Sequence, residues 1–145
     1  MSIWRSLQTL DALNAASERT LIRHLGIVFT EVGDDFIRGT MPVDERTWQP
    51  TGLLHGGASM VLAETLGSMG GNMCVDRSLH LCVGQEINAN HVRSARQGQV
   101  TGTARPAHLG GRTQVWTIDI ISDAKDLVCV SRLTLAVVKR NALRP

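Results

Sequence analysis

The chain has 145 residues, of which 43% are hydrophobic and 19% charged, so it is too apolar for a disordered protein and has the size of one domain spanning residues 1–145. A formal net charge of +2 and only 3% aromatic residues, with no tyrosine, speak against a nucleic-acid-binding protein. No apolar run reaches the ~18 residues of a membrane span, and residues 1–16 lack the pattern of a signal peptide. We therefore expect a soluble protein that is not exported.

Hydrophobic spacing predicts the secondary structure in chain order. Leucines at helical spacing indicate two short helices in residues 1–25, and the alternation over residues 27–43, around a Gly-Asp-Asp turn, indicates a β-hairpin. Residues 47–57, rich in glycine, proline and threonine, predict an irregular connection. Residues 58–73 predict a buried helix whose glycines permit close packing.

Four segments of strand character complete the chain at 79–92, 99–109, 113–122 and 127–139, and their succession predicts a meander. Together the elements predict an α+β fold, in which a mostly antiparallel six-stranded sheet wraps around one central helix. The short N-terminal helices are expected outside this unit. The exposed edges of such a sheet favour pairing between copies of the chain, so a dimer at least, with a tetramer favoured, is expected.

The cysteines are Cys74, Cys82 and Cys129, an odd number scattered among apolar residues. This favours buried, reduced thiols over a disulfide framework and predicts a reducing, cytoplasmic setting. No pair of histidines or cysteines has the spacing of metal ligands, so no metal site is predicted.

Glu64 is the only formally charged residue between Arg46 and Asp76, and it lies in the middle of the predicted central helix. An unpaired carboxylate among apolar residues is costly, and burial moves the pKa of such a group towards the range used in acid–base catalysis. Ser68 follows one helical turn later and could orient a water molecule. The alternative is a Glu64 that faces solvent or forms an ion pair.

His55, Gly56 and Gly57 fall at the expected start of the same helix. Free backbone N–H groups and the helix dipole there suit an oxyanion or a polarised carbonyl, although paired glycines more often form only a tight turn. The surroundings of Ser68 lack a nucleophile elbow, and residues 52–59 lack the lysine of a phosphate-binding loop. A serine hydrolase and a nucleoside triphosphatase are therefore disfavoured.

Residues 87–118 carry basic side chains and no acidic one. The basic residues are His91, Arg93, Arg96, Arg105, His108 and Arg112. Guanidinium groups suit phosphate oxygens, so this segment could hold a phosphate-bearing small molecule. A solvated strand face is the alternative, particularly for Arg96 and Arg105.

Five motifs then combine into one pattern that covers nearly the whole chain: MPVD at 41–44, QP at 49–50, GLLHGGAS at 52–59, AETLGS at 63–68 and NANH at 88–91. The pattern resembles the hotdog-fold acyl-CoA thioesterases, within the branch of the 1,4-dihydroxy-2-naphthoyl-CoA thioesterase and the enterobactin-pathway proofreading thioesterase. The resemblance implies two subunits joined into a continuous sheet, usually as a dimer of dimers, with active sites at the subunit interface. It also implies a CoA or carrier-protein thioester as substrate and no cofactor beyond the CoA of that substrate.

The resemblance implies roles for individual residues. Glu64 of one subunit would be the nucleophile or general base, with Ser68 placing the attacking water. Gln49, His55 and the Gly56 amide of the other subunit would hold and polarise the thioester carbonyl. The substrate and CoA contacts would come from Gly57, His91, Arg93, His108, Gly110 and Arg112.

Two departures from the enterobactin-pathway pattern favour the menaquinone-pathway member: Val92 stands in place of a second histidine, and Arg112 comes one position later in its turn. The acyl group, aromatic in that branch, is implied by the resemblance alone. Two rival functions are a 3-hydroxyacyl dehydratase of the same fold and a non-catalytic acyl-CoA binding module. The presence of Glu64 argues against the binding module.

Overall fold

A computed structural model of the protein describes residues 1–143. Its helices are α1 (Leu10–Ala16), α2 (Leu21–His24) and α3 (Gly56–Met73), followed at the end of the chain by a 3-10 turn at Arg140–Leu143. Its strands are β1 (Val28–Val32), β2 (Ile37–Pro42), β3 (His80–His91), β4 (Gln99–Leu109), β5 (Thr113–Ser122) and β6 (Leu127–Lys139). The predicted order of two short helices, a hairpin, a central helix and four strands is confirmed.

The six strands form one sheet in the order β1-β2-β4-β5-β6-β3, with every neighbouring pair antiparallel. Helix α3 packs against strands β2 to β6 on one face of this sheet. The predicted α+β fold, with one helix wrapped by an antiparallel six-stranded sheet, is confirmed.

The predicted four-strand meander is wrong in one respect: only β4, β5 and β6 form a meander, and β3 pairs with β6 at the far edge. The chain leaves β3 through residues 92–98, which cross the sheet beside the start of α3. Backbone bonds fix this crossing, from Leu54 N–H to the Ala95 carbonyl at 2.8 Å and from Val43 N–H to the Gly98 carbonyl at 2.9 Å. These contacts place β4 next to β2. Strand β3 therefore pairs with β6 on one side and, within residues 1–143, has no strand on its other side.

The core lies between α3 and the sheet. Leu62 and Leu66 of the helix are fully buried, as are Trp116 and Leu133 of the strands facing them. The glycines of α3 allow this close approach, since a Cβ at Gly67 would lie 2.6 Å from the Leu133 side chain. The expected close packing of the glycine-rich helix is therefore confirmed.

All three cysteines are free thiols: Cys82 and Cys129 are buried and Cys74 is partly buried. Burial raises the pKa of the Cys74 thiol to about 12 and that of Cys82 to about 11. Burial also raises the pKa of Cys129, with a smaller contribution from Asp119. Such thiols stay protonated and are poor nucleophiles near neutral pH.

No helix among the described residues is long and apolar enough to cross a membrane. Within the same residues, no group of three or more His, Cys, Asp or Glu side chains is arranged to hold a metal ion.

Candidate active site

The start of α3 is capped by His55. Its backbone is extended, and its Nδ1 accepts a 2.8 Å hydrogen bond from the Gly57 N–H. Because Nδ1 accepts, the neutral imidazole carries its proton on Nε2, and this ring is exposed at the surface. The Gly57 amide is thus occupied by the cap, whereas the Gly56 amide forms no hydrogen bond within residues 1–143. Gly56 N–H and His55 Nε2–H are therefore the donors available to a ligand.

Gln49 lies in the loop before α3, which folds back on itself. The Gln49 N–H bonds to the Leu53 carbonyl at 2.8 Å, and Gly52 makes the tight turn with a positive φ of 76°. The Gln49 carboxamide is held by Thr51, whose N–H donates to Oε1 and whose hydroxyl accepts from Nε2. The second N–H of this amide has no acceptor within residues 1–143, so Gln49 can donate to a substrate without a change in its own conformation.

A pocket of about 360 Å³ lies against this end of α3. Gln49, Gly56, Ser59, His91 and Arg93 are among its lining residues. His91, the last residue of β3, covers Gly56 so closely that a Cβ there would lie 2.7 Å from His91 Nε2. His91 thus packs closely over the backbone of Gly56. Five of the predicted site residues share one end of the molecule: Gln49, His55, Gly56, His91 and Arg93.

Glu64 lies elsewhere, on the middle of α3 and half-buried against β3. Its Oε1 occupies the space over Gly84 that a side chain on that strand would fill. It forms no ion pair within residues 1–143, so the ion-pair alternative finds no support there. Ser68, one turn further along α3, is also half-buried on the same side.

The two parts of the site are separated within one subunit. Glu64 follows Gly56 by eight residues of continuous helix, about 12 Å along the axis. The turn between β4 and β5 lies near the other end of α3, where Gly110 shares a pocket with Cys74 and His80. One subunit therefore does not bring His108, Gly110 and Arg112 to His91 and Arg93, nor Glu64 to the Gly56 amide.

Ion pairs neutralise part of the basic segment. Arg93 pairs with Asp126 at 2.5 Å and Arg105 pairs with Asp35 at 2.7 Å, all on the surface. Arg112 and Arg96 form no ion pair within residues 1–143. The expectation of a solvated face thus fits Arg105, whose guanidinium also covers Phe36 at 4.6 Å.

Sequence reasoning missed Gly84, the residue beneath the Glu64 carboxylate. Two signals mark it: a glycine within a strand often indicates close approach of another group, and the register of β3 against β6 shifts between Gly84 and Glu86. Bulges of this kind are common beside active sites. The bulge depends on the pairing of β3 with β6, which the sequence pattern did not show.

Residues 51–129 match the thioesterase superfamily. The chain is 54% identical to the 1,4-dihydroxy-2-naphthoyl-CoA hydrolase of Escherichia coli, over 93% of this chain and 98% of that protein. It is 53% identical to the proofreading thioesterase EntH of Cronobacter sakazakii, with the same coverage. A crystal structure of a thioesterase from Haemophilus influenzae superposes with a TM-score of 0.92 at 48% identity, covering 94% of this chain and 95% of the other.

This chain belongs to the thioesterase superfamily. It is an enzyme that hydrolyses thioesters and has the hotdog fold. The resemblance drawn from the sequence motifs is confirmed at the level of family, fold and reaction.

Proposed function

We propose that this protein hydrolyses aromatic acyl-CoA thioesters in an active site shared by two subunits. The observation that carries the proposal is the placement of the Glu64 carboxylate over the free edge strand β3, at a distance from the free amide at the start of its own helix. The names of the relatives support the substrate class, since the Escherichia coli protein is a 1,4-dihydroxy-2-naphthoyl-CoA hydrolase. A place in menaquinone biosynthesis is the corresponding proposal for this chain.

The free edge of β3 supports the shared site. A strand of twelve residues with one unpaired edge is suited to pairing with another strand. At Cys82 the backbone groups of this edge are already hydrogen-bonded, because the Cys82 N–H and carbonyl both bond to the Asn72 side chain at 3.0 Å. The open stretch therefore begins at Val83 and continues towards His91.

Antiparallel pairing of β3 with the same strand of a second subunit would unite the site. An axis through Asn88, with Gln85 left unpaired in the β-bulge, sets Gly84 opposite His91 of the partner subunit, about 5 Å away. Glu64 lies over Gly84, and His91 covers Gly56, so each carboxylate would face the helix start of the other subunit. In the same register Arg93 of the partner subunit follows His91 towards Cys82, two residues from His80, which lies beside the turn containing Gly110, so the proposed CoA contacts would also converge.

The chemistry follows from these groups. Glu64 removes a proton from water, or attacks directly, and the thioester carbonyl becomes tetrahedral. Its oxyanion accepts hydrogen bonds from the Gly56 amide, from His55 Nε2–H and from Gln49 of the other subunit. Collapse of the intermediate breaks the carbon–sulfur bond and releases the CoA thiolate, which takes up a proton. On the direct route the acyl group remains on Glu64 as a mixed anhydride, which water then hydrolyses to the free acid and the regenerated carboxylate. Both routes need the ionised Glu64 carboxylate and no group beyond the protein and water.

The test of the reaction is Glu64→Gln, which keeps the size of the side chain and removes its basicity. We expect kcat to fall by about 10² to 10⁴ with KM largely retained. Release of free thiol from benzoyl, hydroxynaphthoyl and fatty acyl thioesters, followed with a thiol dye, identifies the acyl class. Enoyl absorbance without thiol release would indicate dehydration instead, and a wild-type kcat for Glu64→Gln would exclude the carboxylate from catalysis.

The test of the shared site is complementation between two inactive variants. When Glu64→Gln and Gln49→Ala subunits are mixed during refolding, half of the dimers carry one intact site, so about a quarter of the wild-type activity should return. If each site lay within one subunit, the mixture would stay inactive. Light scattering should give a mass of at least twice the 15.8 kDa of one chain, and a monomer at micromolar concentration would contradict the shared site.

The same proposal covers the organisation of the protein. Residues 1–145 act as one domain, the partners are a thioester substrate and further copies of the chain, and a dimer of dimers is the favoured assembly. The three free thiols, two buried and one partly buried, suit a reducing compartment such as the cytoplasm. The enzyme uses no cofactor other than the CoA of its substrate.

A further inference from the structure

The side chain of Asn72 joins α3 to β3 through three hydrogen bonds. Its Nδ2 donates to the Ser68 carbonyl at 2.9 Å and to the Cys82 carbonyl at 3.0 Å, and its Oδ1 accepts from the Cys82 N–H at 3.0 Å. The amide thus replaces a neighbouring strand at Cys82 and uses both of its N–H donors. Asn72 was not among the residues that the sequence suggested for the site.

These hydrogen bonds lie next to Glu64 on α3 and next to Gly84 on β3. Ser68 is four residues after Glu64, so it lies one turn further along the same face of α3. Cys82 is two residues before Gly84, so both point to the same face of β3. The Asn72 amide therefore fixes the turn of α3 that follows Glu64 against Cys82, which lies two residues from Gly84, the position covered by the carboxylate.

We propose that Asn72 is a positioning residue that holds the Glu64 carboxylate over Gly84 in the geometry needed for catalysis. The inference rests on the proposed role of Glu64. Within residues 1–143, three side-chain hydrogen bonds join α3 to β3: two between Asn72 and Cys82, and one from the Cys82 thiol to the Gly71 carbonyl. Without the amide, the two bonds of Asn72 to Cys82 and its bond to the Ser68 carbonyl are lost, and the thiol bond and the hydrophobic contacts remain. Slippage of about 1 Å between helix and strand then displaces the carboxylate from the reacting carbonyl.

The test is a double-mutant cycle between Asn72→Ala and Glu64→Gln. In the wild-type background we expect Asn72→Ala to lower kcat by about 10-fold to 100-fold and to change KM less than about threefold. In the Glu64→Gln background the same change should lower the residual kcat less than about twofold, because the positioned group is already inactive. An equal loss in both backgrounds, or a loss seen only in KM, would overturn the proposal.

Gln114→Leu is the matched control. Gln114 is a buried amide beside the same part of α3; it donates to the Gly71 carbonyl at 3.4 Å and accepts from Trp116 Nε1 at 3.0 Å. This variant should lower the melting temperature and leave kcat within about twofold, which separates positioning from general loss of stability. A loss of kcat as large as that of Asn72→Ala would count against a special role of Asn72.

Two further outcomes are informative. If Asn72→Ala does not fold, Asn72→Asp replaces it in the same cycle, because it keeps the acceptor for the Cys82 N–H and loses both donated bonds. If Glu64→Gln alone retains the wild-type kcat, the proposed function fails. Asn72→Ala with unchanged kcat, alongside an inactive Glu64→Gln, overturns only the inference about Asn72.

Discussion

Gly84→Ala places a methyl group where the Glu64 carboxylate now lies. The added carbon would overlap Oε1, and within residues 1–143, the two chain neighbours of Gly84 aside, no atom outside the Glu64 carboxyl lies within 4 Å of it. The carboxylate must withdraw by about 1 Å to reach an ordinary van der Waals distance. Because a displacement of that size at a reacting centre costs about 10²-fold in rate, we expect kcat to fall about 100-fold, or about 2.7 kcal/mol in activation free energy.

Stability should respond in the opposite direction. The atom that must move is the far end of a flexible side chain, so relief of the overlap needs no backbone shift. Alanine also loses less conformational entropy than glycine in a strand, by roughly 0.5–1 kcal/mol. The melting temperature of Gly84→Ala should therefore equal or exceed that of the wild type while its activity falls.

The assay is thiol release under saturating substrate, combined with thermal unfolding and light scattering on the same preparation. Light scattering is needed because Gly84 is exposed in the free subunit and lies on the proposed interface strand. Glu64→Asp supplies the control: its carboxylate is withdrawn by one methylene, so adding Gly84→Ala should cost less than about threefold. A Gly84→Ala enzyme of unchanged mass with kcat within about twofold of wild type would show that the carboxylate does not act at this position.

Three further predictions concern other parts of the molecule. His55→Asn keeps an acceptor for the helix cap and loses the imidazole donor, so kcat should fall by about 10² while the melting temperature holds, whereas His55→Ala should also lose about 1 kcal/mol of stability. Arg112→Ala should raise KM for a CoA thioester and leave kcat unchanged, with the effect shrinking as salt is added; a change in kcat alone would reassign Arg112. Burial raises the pKa of Cys82 to about 11, so folding favours its protonated form and stability should fall as pH rises from about 8.5 towards that value. Thermal unfolding between pH 8 and 11 should show a smaller decline for Cys82→Ala, and an identical decline would contradict this reading.

The sequence by itself determined the elements and the family. Alternation and helical spacing depend on which side of each element meets the core, a local property that the pattern of apolar residues records directly. The isolated charge of Glu64 and the glycines after His55 likewise marked two candidate groups, because an unpaired carboxylate and a bare helix start are unusual wherever they lie. The family followed from motifs that include both groups.

Tertiary structure alone decided how those elements meet. The four-strand meander failed because the partner of a strand depends on where its connecting loop crosses the sheet, and residues 92–98 pass the start of α3 to leave β3 beside β6. That placement gives β3 a free edge, puts Gly84 beneath Glu64 and Cys82 beside Asn72, and separates the carboxylate from the Gly56 amide. Contacts between residues distant in the chain carry no periodic signal, since each depends on packing across the whole sheet.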